Sequence, residues 1–352
     1  MSGVVGIGYY IARLRPGPEP LLRTLRFLLV LVLIGLAVFA GGLYRWASHR
    51  VAFRDAPADF RIPAGTGLRG AVGLINEAGV RVNPTLMVIL AKVMRAEAGI
   101  KAGSYSLQRG ATPWDILSKL TRGEFTQGEI TLVEGLTLRQ WREKLDANPD
   151  LVHDTRGLAE SELLSRLGIA AARGEGLFFA DTYLFDKQSS DLDLLARAWR
   201  AMSRRLALEW DRRDPGLPLK TPAEALILAS IVEKETGRMA DRPHIAAVFI
   251  NRLRQGMMLQ SDPTVIYGVG ERFDGNLRKR DLQTDTPYNT YTRPGLPPTP
   301  IAMPSMASLQ AVLHPAASDA IYFVARGDGS SHFSRTLDEH NRAVSRYQRG
   351  GR

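Results

Sequence analysis

The chain has 352 residues, 45% of them hydrophobic and 23% charged, which excludes a disordered polymer and allows one large domain or two ordinary ones. Its formal net charge of +10 favours anionic surroundings, yet no RNP motif, zinc-finger spacing or clustered basic helix points to nucleic acid. Cysteine is absent, which excludes a lipid-modified cysteine anchor and agrees with an oxidising compartment without requiring one.

Residues 1–26 form a polar N-terminal segment, and residues 27–44, FLLVLVLIGLAVFAGGLY, carry no charge over 18 positions. A helix needs roughly 20 apolar residues to cross hydrocarbon, so a single uncleaved span is expected here. Arg23 and Arg26 precede it, while Arg45 and Trp46 follow as an interfacial anchor. The rival readings are a cleaved signal peptide and a buried core helix; the run is long for the first, and no A-x-A site follows at once. Four arginines in residues 1–26 face five in residues 45–69, so charge alone does not orient the span. A long C-terminal domain translocates regardless, and a cytoplasmic N-terminus with an extracytoplasmic domain is the preferred topology.

Residues 45–58 read as a short linker, and residues 59–125 as a small α/β module. FRIPAGTGL suggests a strand and turn, LRGAVGLINEAG and PTLMVILAKVM have helical apolar spacing, and IKAGSYSLQ suggests a strand. In TPWDILSKLTRG, Thr112 is placed as N-cap, Pro113 at the first helical position and Gly123 as the stop.

Residues 126–352 read as a larger mixed α+β domain, making the chain α+β overall. ITLVEG suggests a strand, and Thr137 with Gln140 a capping box for a first helix. Further helices are expected as far as Asp211, then a proline-rich connection, DRRDPGLPLK. The next helix, TPAEALILASIVEKETG, has Thr221 as N-cap, Glu224 as its capping-box partner and Gly237 as terminator. HIAAVFINRLRQG continues as helix; LQSDPTVIYG and TPYNTYTRPGLPPTPIAMPS read as loops, followed by a strand at IYFVA.

Glu233 and Glu235 close an apolar helix, and at 100° per residue they face nearly opposite ways. Glu235 follows the stripe of Leu228, Ile231 and Val232, whereas Glu233 follows Ala229 and Ser230. Glu235 is therefore the carboxyl directed along the buried face. Burial and the negative end of the helix dipole would both raise its pKa, leaving a protonated acid fit for proton donation. A buried salt bridge of Glu235 with Arg238 or Arg252 is the bland alternative. Gln260, Asp262, Tyr288, Asn289 and Tyr291 interleave aromatics with amide and carboxyl groups, as a carbohydrate cleft does; each alone could be a turn or core residue. None of the six histidines has H-E-x-x-H spacing, and neither a G-x-S-x-G elbow nor a P-loop occurs, so no metal or cofactor is expected.

Five blocks in order, LASIVEKET, VFINRLRQGMMLQSDPTVIYG, YNTY, GLPPTPI and YFVA with HFS and EHN, resemble the MltG/YceG family of endolytic murein transglycosylases. The resemblance covers nearly all of the chain after the apolar run. It implies a single-pass inner-membrane protein with a LysM-like module at 59–125 and a catalytic domain at 126–352. The implied activity cuts nascent peptidoglycan strands to leave a 1,6-anhydro-MurNAc end and so terminates elongation, with cell-wall synthases (penicillin-binding proteins) as partners. It makes Glu235 catalytic and places Gln260, Asp262, Tyr288, Asn289 and Tyr291 in the cleft. Ala180 stands where the family often has proline, and Met303, Pro304 and Ser305 where many members have Asn-Pro-Gly, which puts local loop shape in doubt. A hydrolytic muramidase using Asp262, and a non-catalytic glycan-binding scaffold, are the competing functions. On this reading Glu235→Gln loses cleavage and Glu233→Gln keeps it.

Overall fold

The computed structural model describes residues 19–96 and 99–350. Two compact units divide the chain, residues 1–126 and residues 127–352. Both mix helices with two-stranded sheets, and the fold class is α+β.

The first unit opens with α1 (Glu19–Ala47), 29 residues or about 43 Å of helix. Its apolar residues between Leu22 and Phe39 are exposed, which rules out a core helix; by length and composition the segment can cross a membrane. The chain then forms β1 (Ala52–Phe53), β2 (Ala58–Ile62), α2 (Leu68–Glu77), β3 (Val80–Arg81), α3 (Pro84–Val93), β4 (Gly103–Leu107) and α4 (Pro113–Arg122). β2 pairs antiparallel with β4, setting Phe60 opposite Tyr105 with stacked rings 5.8 Å apart. Ile75, Met87, Ile116 and Leu117 complete the core on these aromatics. α4 has the expected capping box of Thr112 and Asp115, and Gly123 ends it in the left-handed conformation that only glycine adopts without strain.

Residues 45–58 are more than a linker. β1 pairs with β3, the Val51 N–H donates to Ala111 O, and Ala47 is fully buried in this unit's core. The cause is amphipathic: Trp46, Val51 and Phe53 recur through the segment and pack on that core.

The second unit comprises β5 (Gln127–Leu132), α5 (Leu138–Asp146), β6 (Leu151–Val152), α6 (Glu160–Arg166), β7 (Asp181–Asp186), β8 (Ser189–Ser190), α7 (Asp191–Asp211), α8 (Pro222–Glu235), α9 (Arg242–Arg254), α10 (Asp262–Val269), α11 (Lys279–Gln283), α12 (Met306–Leu313), β9 (Tyr322–Ala325), β10 (Ser331–Ser334) and α13 (Leu337–Val344). β5 pairs antiparallel with β7, with Ile130 opposite Tyr183, and this ribbon packs on Trp141, Phe178 and Leu195. A second core gathers Leu228, Ile231, Phe249, Leu309 and Val312 from α8, α9 and α12. The strand ahead of α5 joins the two cores through its loop: Gly135 N–H donates to Met303 O, and Met303 N–H to Leu136 O.

The elements that sequence periodicity misses include α10, α12 and β7. DPTVIYGV is the helix α10 and not a loop, because Asp262 and Pro263 start it and only its Thr264 and Val265 side are buried. α12 and β7 are likewise short, with apolar residues that fill their core only through distant partners.

Candidate functional site

The helix α8 is buried on all sides: every residue from 225 to 232 is inside. A helix so enclosed has no buried face to set against a polar one, and the two closing glutamates cannot be told apart by face. Thr221 caps it by accepting from Glu224 N–H, while the Glu224 carboxylate accepts from Lys220 N–H, so the expected capping box is only half formed. The helix stops at Glu235, with Thr236 already extended at φ −148°, and Gly237 is not its terminator.

Glu233 is the more heavily hydrogen-bonded acid. Its side chain is 5% exposed, and Arg242, 9% exposed, donates to it from Nη2 at 3.1 Å. It also accepts from Ser305 N at 3.0 Å, from Ser305 Oγ, and from Ser308 Oγ at 2.7 Å. The polar flank read from Ala229 and Ser230 is thus a docking place for the N-terminus of α12, whose N-cap is Ser305. Four hydrogen bonds end on this carboxylate, three of them on Oε2, which marks it as structural.

Glu235 has the opposite character. It is half-buried, and its Oε1 accepts one hydrogen bond, from Ser261 Oγ at 2.5 Å. Its pKa is pushed up to about 7, chiefly by burial and further by the negative charge of Asp262; the Ser261 bond and the Arg252 charge oppose the rise. Asp262 therefore takes the place given to the helix dipole in the sequence reading. Arg252 does not neutralise Glu235: its guanidinium donates to the carbonyls of Ile321, Met258 and Leu259 and to Gln260 Oε1. The result is a carboxyl group that holds a proton near neutrality and can give it up and take it back.

Three more of the expected residues gather here. Gln260 is exposed at φ +53° and is held by Thr290 O and Arg252. Asp262, exposed at the start of α10, accepts from the Tyr291 hydroxyl at 2.6 Å. Burial and Asp262 together push the Tyr291 pKa up, so that hydroxyl stays protonated. Tyr288 lies on an adjoining wall, bonded to Thr299 Oγ1 at 2.8 Å with its ring edge-on to Tyr267 at 4.8 Å.

Asn289 is not a cleft residue. It is fully buried, its amide N–H groups donate to the carbonyls of Leu282 and Thr284, and its oxygen accepts from Tyr291 N–H. Buried amides are found with their hydrogen bonds made, and this one fastens the loop that presents Tyr288 and Tyr291. Ser261, 1% exposed, lies between two of these residues and is the donor to Glu235.

A cavity of about 1090 Å³ is lined by Lys234, the chain neighbour of Glu235, by Pro263, which follows Asp262, and by Tyr288, while Glu235, Gln260, Asp262 and Tyr291 stand outside its lining. Glu175 forms part of its wall, 6% exposed, accepting from Leu138 N–H at 2.9 Å and from the Tyr267 hydroxyl at 3.1 Å. Burial pushes the Glu175 carboxyl up to about 7 despite those two bonds. An acid alone in the apolar run GEGLFF was the available signal for it. Gly176 is fixed by space: a Cβ there would lie 2.5 Å from Pro300. Among the described residues one set has metal-ligand spacing, Asp146, His153 and Asp191, with ligand atoms within 4.8 Å of one another. The Arg156 guanidinium already lies 3.5 Å from Asp146 Oδ1 and supplies positive charge there.

Comparison with known proteins shows the family. The model of the YceG-like family matches residues 60–346. An endolytic murein transglycosylase of Bacillus subtilis is 32% identical over 315 residues, covering 82% of this chain and 84% of that protein. One from Streptococcus pneumoniae strain R6 is 29% identical over 320 residues, covering 81% of this chain and 57% of its own length. The 2.6 Å crystal structure of a putative yceG-like protein from Listeria monocytogenes superposes with a TM-score of 0.52 at 28% identity, covering 81% of this chain and 97% of that one.

Proposed function

The chain belongs to the YceG-like family, and on that premise we propose that it is a membrane-anchored endolytic lytic transglycosylase that cuts the MurNAc–GlcNAc bond of nascent peptidoglycan. The observation that carries the chemistry is Glu235: a half-buried carboxyl, protonated near neutrality, whose chain neighbour Lys234 lines a large cavity.

Glu235 donates its proton to the glycosidic oxygen as the bond to the muramyl anomeric carbon breaks, and the GlcNAc 4-hydroxyl leaves. Positive charge develops at that carbon. The muramyl 6-hydroxyl closes onto it, and the ionised Glu235 accepts the hydroxyl proton, so the enzyme returns to its starting state without consuming water. Ser261 fixes the orientation of the carboxyl, and the Asp262 carboxylate lies where it can stabilise the charged transition state. Gln260, Tyr288 and Tyr291 serve as sugar contacts.

In this reading α1 is the single span, with the N-terminus cytoplasmic and the chain beyond α1 outside the inner membrane. Residues 59–125 act as a LysM-like glycan-binding module, residues 126–352 as the catalytic domain, and cell-wall synthases as partners. Cutting nascent strands would terminate their elongation.

Mass spectrometry of digested peptidoglycan tests the reaction. Products one water lighter than hydrolysis fragments, ending in 1,6-anhydro-MurNAc, are expected. Reducing ends would instead identify a muramidase in which Asp262 activates water, and uncut polymer would identify a binding scaffold.

The pH profile gives an independent test. Because the protonated form of Glu235 acts first, the rate should fall as pH rises through about 7. Asp262→Asn removes a negative charge that raises the Glu235 pKa, so the falling limb should move to lower pH. A limb that stays in place, or moves up, would contradict the assignment of Glu235 as the acid.

A further inference from the structure

The cavity that Lys234 lines is charged beyond what a neutral sugar chain requires. Nine of its 21 lining residues are Asp, Glu, Lys or Arg, against 23% of the whole chain. Both signs occur: Arg139, Arg142, Arg173 and Lys234 are cationic, and Glu143, Glu160 and Glu271 are among the acids. Glu175, raised to about 7, is only partly ionised near neutrality.

Arg142 is occupied by the carbonyls of Thr155 and Leu158 and holds the wall. Arg139 and Arg173 are different. Their side chains are 58% and 54% exposed, and their pairs with Glu143 and Glu160 are surface ion pairs. Such pairs contribute only about 0–1 kcal/mol, so both guanidiniums can exchange partners readily. A guanidinium offers a planar fork that suits a carboxylate.

Building on the transglycosylase reading, we infer that this cavity takes the peptide stem of the muramyl residue next to the cut bond, with Arg139 and Arg173 binding its carboxylates. The lactyl ether of muramic acid carries a peptide with free carboxylates and, where a diamino acid is present, an ammonium group. A cavity of mixed charge complements that chemistry, with Glu160 and Glu271 available to the ammonium once their arginines turn to the ligand. Lys234, which donates from Nζ to Gly135 O at 3.1 Å, lines this cavity and is the chain neighbour of Glu235. The enzyme would thus act on stem-bearing strands in preference to bare glycan.

The test compares initial rates of the full-length protein in detergent on two samples of one uncross-linked glycan polymer. One keeps its stems, and the other has had them removed by an amidase. The wild type should show a kcat/KM about tenfold higher on the stem-bearing polymer. Arg139→Ala with Arg173→Ala should bring that ratio close to one, through KM on the stem-bearing polymer. Arg173→Glu should lower the ratio as well. Each ratio is measured on a single protein sample, so any loss of folded enzyme cancels. Equal wild-type rates on both polymers, or a ratio unmoved in the variants, would overturn the inference and leave the transglycosylase reading standing. If the wild type cuts neither polymer, the reaction itself is wrong, and stem recognition falls with it.

Discussion

Glu235→Gln should fold, bind glycan strands and release about 10²- to 10⁴-fold less anhydro product than the wild type. Glutamine keeps the shape of the acid, and its Oε1 can still accept from Ser261 Oγ. What it lacks is the proton. Stability should move the other way. The folded-state pKa of Glu235 is raised from 4.5 to about 7, so the group favours folding fully below 4.5, and that contribution is lost as pH rises through 7. The wild type must bury a carboxylate at pH 8, and glutamine need not. The variant's thermal midpoint should therefore match the wild type near pH 5 and exceed it at pH 8. Loss of activity with a lowered midpoint at both pH values would mark Glu235 as structural, and retained activity would remove it from the reaction.

The sequence already carries much of this site, and its limits are physical. Capping residues are local, so Thr112, Thr137 and Thr221 mark their helices correctly as N-caps. Glu235, Gln260, Asp262 and Tyr291 lie in short blocks of unusual composition and converge in space. Asn289 belongs to the same kind of block, yet its amide closes a turn; composition cannot distinguish an amide facing a ligand from one facing its own backbone. Glu175 showed in sequence only as an acid in an apolar run, for another reason. Its partners, Leu138 and Tyr267, are 37 and 92 residues away, and only the folded chain makes a wall of them. The same distance effect hid the structural role of Glu233: a helix packed against α9 and α12 takes its polarity there from Arg242, Ser305 and Ser308, none of which its own periodicity reveals.

That network changes what Glu233 should do when altered. From sequence it is the dispensable acid, and Glu233→Gln should keep activity. In the structure it is one half of an enclosed ion pair and the acceptor for three donors at the head of α12. Glu233→Ala leaves the Arg242 guanidinium buried without its counter-charge, a change that typically costs about 3–5 kcal/mol. For a unit of this size the thermal midpoint should fall on the order of 10 °C. Glu233→Gln keeps an acceptor but not the charge, and should fall less. Because Arg242 holds both Glu233 and Ser305 Oγ, the double variant Glu233→Ala with Arg242→Ala should be less destabilised than the sum of the two single changes. The activity remaining per folded molecule separates the two glutamates. Glu235 is two residues beyond Glu233, and a shift of about 1 Å in a reacting group can cost on the order of 100-fold in rate. Glu233 variants should therefore lose both stability and kcat, with the falling limb of the pH profile still near 7, since the acid itself is intact. A Glu233→Ala protein with an unchanged midpoint would show that this network does not hold α8 to α12.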